Sequence, residues 1–84
     1  MIRVLDGRNY AKSSEFVNDL NKARLENKKK WIVYIGTVAN KNVEIKTYDT
    51  GYLQILRIDG VKHWAHMDMK VTAWKQAITQ AIGD

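Results

Sequence analysis

Apolar and polar positions first fall into a regular rhythm over residues 14–29. Phe16, Val17, Leu20 and Ala23 share one face at 3.6-residue spacing, while Asn18, Asp19, Lys22 and Glu26 lie on the other. The spacing predicts an α-helix over 14–29. Ser13 or Ser14 can accept from its first free amides, and Glu15 suits its positive end. Leu25 is off the apolar stripe. Before the helix, "MIRVL" alternates weakly and could be a short edge strand, and "DGRN" reads as a turn.

The rhythm then changes to period two. "WIVYIGTV" (31–38) is apolar on both faces, as in a central strand. "ANKN" turns into "VEIKTY" (43–48), which alternates cleanly. "DTG" (49–51) has the form of a three-residue hairpin loop closed by a left-handed glycine. "YLQILRI" (52–58), the two-residue turn "DG" and "VKHWAHM" (61–67) complete a meander. Asp68 can cap a last helix over 69–82, striped with Val71, Trp74, Ile78 and Ala81/Ile82 and followed by Gly83. The predicted order is β-α-β-β-β-β-α. This is an α+β fold, an antiparallel four-stranded meander packed with two helices in one domain over 1–84.

The turns fix a register, and the register fixes the faces. If Ile58 opposes Val61 and Tyr48 opposes Tyr52, regular pairing puts Val43, Ile45, Thr47, Leu53, Ile55 and Trp64 on one face, the expected core. The other face then carries Glu44, Lys46, Tyr48, Tyr52, Gln54, Leu56, Ile58, Val61 and His63.

Composition bounds the function. Hydrophobic residues make up 45% of 84, enough for one core and too many for a disordered tail. Cysteine is absent, which excludes disulfides and zinc–thiolate clusters and suits a reducing compartment. No stretch approaches the roughly 20 apolar residues of a membrane span, and the N-terminus lacks an apolar segment of signal-peptide length. The expectation is a complete, soluble protein of the cytoplasm. Fourteen Lys and Arg against nine Asp and Glu leave a formal charge of +5, which favours phosphate backbones and acidic partners but also serves mere solubility.

Charge and rings together suggest where chemistry would sit. Tyr48 and Tyr52, paired beside Lys46, have the makings of a base-stacking platform; the alternative is a cross-strand aromatic pair that only stabilises its hairpin. Lys28, Lys29 and Lys30 follow Lys12, Lys22 and Arg24 on the predicted helix, so one element carries six of the fourteen basic residues. The run can be a phosphate handle, or simply cations suited to a helix C-terminus. Leu56, Ile58 and Val61 need cover. Exposed, they mark a homodimer or host-protein interface; otherwise the N-terminal strand and loop fold over them. In "HWAH" (63–66), histidines three apart on a strand face opposite sides and do not chelate one ion. A ribonuclease site using His63 and Lys46 lacks a convincing second acid–base group. The glycines match turns rather than a phosphate-cradling loop, so no cofactor or metal is expected.

"NVEIKTYDTGYLQILRIDGVKHW" followed by an amphipathic helix resembles the hairpin-and-helix pattern of the double-wing domain in the MotA family of phage activators. That likeness covers about half the chain, and the predicted strands are fewer than the six of the whole saddle. In size, charge and its basic helix "KARLENKKK", the chain is also similar to the TifA family of phage inhibitors of the ToxN ribonuclease toxin. Both belong with the small early accessory proteins of T-even-type phages. The resemblance implies a phage-encoded RNA-binding inhibitor of a host defence or toxin, acting in the host cytoplasm. The residues themselves point to a nonenzymatic domain that binds RNA or another single strand. The alternative from another class is an adaptor that docks on an acidic host protein without nucleic acid.

Overall fold

The computed structural model describes residues 3, 5–64, 67–68 and 70–83. The elements are β1 (Asn9–Tyr10), α1 (Ser13–Glu26), β2 (Ile32–Val38), β3 (Lys41–Thr47), β4 (Tyr52–Ile58), β5 (Val61–Trp64), β6 (Met67–Asp68) and α2 (Val71–Ile82). This is the predicted α+β order, with the last strand of the meander in two segments that both pair with β4.

Of the predicted edge strand over residues 1–5, residues 1, 2 and 4 lie outside the described residues. Leu5–Gly7 is a turn, and Asn9–Tyr10 pairs in parallel with Thr37–Val38 at the edge of the sheet. The predicted "DGRN" turn therefore contains the start of β1. Helix α1 is the crossover between these two parallel strands, as parallel neighbours require.

Helix α1 buries Phe16, Val17, Leu20 and Ala23, the predicted stripe, and leaves Leu25 52% exposed. Its N-cap is Lys12 rather than Ser13 or Ser14, without a side-chain cap, and Ser13 is buried. It ends at Glu26, short of the predicted residue 29. Asn27 leaves helical geometry, and both its backbone N–H and its side-chain amide donate to the Ala23 carbonyl. The chain then turns through Lys28 and Lys29, the latter at φ +62°. The lysine trio is thus a helix-to-strand turn and not the last turn of a helix.

Helix α2 begins after an N-cap at Lys70, and Asp68 lies in β6 instead. Its C-terminus is closed by left-handed Gly83, whose N–H donates to Thr79, and by the Lys41 ammonium, which donates to the Ile82 carbonyl. Both helices cover the same face of the sheet, and Trp74, Ile78 and Ile82 meet Phe16, Leu20, Tyr34, Ile45 and Leu56 in one core cluster.

The hairpins at Asp49–Gly51 and Asp59–Gly60 follow the predicted turn chemistry. The first hairpin turns over Ala39 and Asn40, with Lys41 and Asn42 of the expected "ANKN" turn already in β3. Two bulges change the faces. Ala39 and Asn40, like Asp59 and Gly60, have positive φ at both central positions, the mark of type I′ turns. Between β3 and β4, Thr47 opposes Leu53 whereas Lys46 opposes Ile55, so Gln54 is an extra residue. Between β4 and β5, Leu56 opposes Trp64 whereas Arg57 opposes Lys62, so His63 is extra. A bulge sets two residues against one and restarts the alternation out of phase. Ile55 consequently leaves the predicted core face and is half-buried, and Leu56 and Ile58 enter it, at 0% and 5% exposure.

The predicted interface of Leu56, Ile58 and Val61 is corrected accordingly. Two of its three side chains are core, and only Val61, at the tip of the β4–β5 hairpin, is exposed, at 60%. Of the N-terminal segment, Leu5 belongs to the same core cluster as Leu56 and Ile58.

Candidate nucleic-acid interface

With both helices on one side, the opposite face of the sheet is bare among the described residues. Its cross-strand rows can be read from the register. One row is Ile35, Glu44, Arg57 and Lys62; the next is Val33, Lys46 and Ile55. The pairing of β2 with β3 runs from Val38↔Lys41 to Ile32↔Thr47, and one step further sets Trp31 beside Tyr48. Tyr48 in turn donates its backbone N–H to the Tyr52 carbonyl across the turn, as predicted. The last row is therefore aromatic throughout.

The three rings form one cluster. Trp31 lies 5.1 Å from Tyr48 and 5.8 Å from Tyr52 between ring centroids, both at steep edge-on angles of 63° and 85°. The Lys46 ammonium sits 5.2 Å from the Trp31 ring centroid, within reach of a cation–π attraction. Thr50 and Gln54 complete the lining of an open recess of about 470 Å³. All three rings are half-buried, so each retains accessible surface.

The recess is held from beneath. Thr47, fully buried on the core face, accepts from the Trp74 indole at 2.9 Å and donates to the Tyr52 carbonyl at 2.9 Å. A chain of bonds thus runs from α2 through β3 to the start of β4. The loop between Tyr48 and Tyr52 is closed by Gly51, at φ +93°, whose N–H donates to the Tyr48 carbonyl.

The lysine turn is tied to that same loop. Asp49 accepts the Lys29 backbone N–H on its carboxylate and an Arg24 guanidinium N–H on its carbonyl, each at 2.5 Å. Lys28, Lys29 and Lys30 are all exposed, and Lys30 directly precedes Trp31. The basic turn and the aromatic recess are therefore neighbours, fastened together through Asp49.

The other predicted phosphate ligands fare differently. Arg24 gives Nε and Nη2 to Asn21 Oδ1 and Nη1 to Asp49, so it acts as the clamp of the turn rather than as a free cation. Lys22 lines a separate recess with Leu5, Arg8, Asp19, Ala23 and Glu26, in company with two carboxylates. Lys12 precedes α1, and a 14-residue helix separates it from the lysine turn by about 20 Å. The structure thus brings together Lys28, Lys29, Lys30, Lys46, Tyr48 and Tyr52, and leaves Lys12 and Lys22 elsewhere.

Trp31 is the residue that sequence reasoning missed as a site residue. Its signal was present: counting back from the Ala39–Asn40 turn places it opposite Tyr48. His63, the extra residue of the β5 bulge, is exposed. His66 lies outside the described residues. No group of three or more His, Asp or Glu side chains that could hold a metal occurs among the described residues. No helix among them is long and apolar enough to cross a membrane.

No protein-family model matches the chain, and no curated protein or solved structure matches it either.

Proposed function

We propose that this chain is a nonenzymatic single-strand nucleic-acid-binding domain, with RNA preferred, that stacks bases on Trp31, Tyr48 and Tyr52. Lys46 and the Lys28–Lys30 turn neutralise the adjoining phosphates. The observation that carries this reading is the aromatic recess fastened beside an exposed basic turn on the uncovered face of the sheet. Rings supply sequence-tolerant stacking, worth about 1–3 kcal/mol per base, and ammonium groups track the backbone. Unpaired bases suit the site because a duplex hides the faces that the rings would contact.

Against this, docking on an acidic host protein has less support. Its proposed patch keeps only Val61 at the surface. The inhibitor role that the phage resemblance implies would be exercised through RNA held at the aromatic face.

Electrophoretic mobility shifts with single-stranded RNA at several salt concentrations test the proposal. Contacts to three or four phosphates give a slope of log affinity against log salt of about −2 to −3. Trp31→Ala should weaken binding by about 1–3 kcal/mol, with the far-UV circular dichroism retained. Absence of a shift at low salt with both RNA and single-stranded DNA would reject the reading.

A further inference from the structure

The recess contains more than rings. Gln54 is the extra residue of the β3–β4 bulge, and with Ile55 it opposes Lys46 on the bare face. Bulges commonly re-aim one side chain beside a site. No hydrogen bond is made by the Gln54 amide among the described residues, although it is half-buried on the wall of an aromatic recess. The lining side chains are Trp31, Tyr48, Thr50, Tyr52 and Gln54, none of them acidic.

We infer that the recess is an adenine-preferring base pocket, with the Gln54 amide reading the N6/N7 edge of one stacked base. This rests on the single-strand reading above and adds a base specificity to it. Three facts argue for adenine. A purine offers a larger face than a pyrimidine to the one ring it stacks on, since Tyr48 and Tyr52 stand at 63° and 85° to Trp31. One planar amide supplies an acceptor and a donor side by side, matching the N6–H donor and N7 acceptor of adenine. On that same edge guanine presents two acceptors, which the donor and acceptor of one amide do not both match; its O6/N1–H edge, which an amide can match, is what the G-containing strand tests.

The experiment is fluorescence anisotropy with 5′-labelled RNA hexamers: hexauridylate, and the same strand with one central A, G or C. The expected result is that the single A tightens binding at least about fivefold over hexauridylate, the lower end for one bidentate amide–base pair. In Gln54→Glu, which keeps the shape but removes the donor, the ratio of A-containing to all-U affinity should fall to near one. Circular dichroism confirms that the variant is folded, and Gln54→Ala serves as the second variant. Equal binding of all four hexamers, or a preference for G, C or U, overturns the adenine inference and leaves single-strand binding intact. A preference for A that survives both substitutions removes Gln54 from the role and overturns it also. No binding of any hexamer overturns both readings together.

Discussion

Single side chains decide how the bare face is built and how it is supported. Tyr34 is fully buried, and its hydroxyl passes Gly36 to donate to the Arg8 carbonyl at 2.6 Å. A Cβ at Gly36 would stand 2.7 Å from that carbonyl and closer still to the Tyr34 hydroxyl. Backbone cannot yield as a flexible side chain does, so Gly36→Ala should cost about 1–3 kcal/mol in urea unfolding. Burial pushes the Tyr34 hydroxyl from its ordinary value of 10.0 up to about 12. A raised value means that the neutral form is favoured in the folded state. Its contribution is complete below pH 10 and is lost as pH rises toward 12. The urea midpoint should therefore fall across that interval, and Tyr34→Phe should make the fall shallower. These effects concern the support of the sheet, on the far side from the aromatic recess. Trp31 stands at the other extreme: its loss should touch binding far more than folding.

At the scale of elements, turns were legible and bulges were not. The Asp49–Gly51 and Asp59–Gly60 turns carry glycine where φ must be positive, a requirement visible in the residue types. Their closing pairs, Tyr48 with Tyr52 and Ile58 with Val61, follow directly. The extra residues Gln54 and His63 have no such signature, because a bulge is selected by the match between two strands and not by a local motif. That is why Ile55, Leu56 and Ile58 were assigned to the wrong faces. The helix end at Glu26 was also hidden, since Lys28–Lys30 satisfies helix-end electrostatics, and the Asn27 side-chain bond to the Ala23 carbonyl that accompanies the exit has no marker in the apolar pattern. In the turn that results, Lys29 adopts φ +62°, a conformation costing about 1–2 kcal/mol for a residue with a Cβ. Lys29→Gly should raise stability by about 0.5–1 kcal/mol in urea unfolding while weakening RNA binding. Stability and binding moving in opposite directions would separate a functional lysine from a structural one.

For the molecule as a whole, the sequence pattern conveyed both the layer arrangement and its asymmetry, one core face for the helices and one open face, though not which residues of β4 belong to each. The stripes of both helices and the alternation of the strands implied one sheet and two helices. The shared core of Phe16, Leu20, Trp74 and Ile78 places both helices on one face, as expected, and leaves the other bare among the described residues. The asymmetry gives the molecule a hydrophobic side that folds it and a ringed, basic side available for recognition. Replacing Lys28, Lys29 and Lys30 by glutamate removes two charges at each position and takes the formal charge from +5 to −1. Because all three side chains are exposed, unfolding should shift by less than about 1 kcal/mol, whereas RNA binding at low salt should be abolished.

The central claim is that the bare sheet face holds a single strand. It is tested most directly by an NMR titration of the labelled protein with a single-stranded RNA hexamer at low salt. The account predicts shifts concentrated at Lys28–Trp31 and Lys46–Gln54, with the Trp31 indole moving and the buried Trp74 indole still. Shifts confined to the outer surfaces of α1 and α2, or no shifts at all, would contradict it.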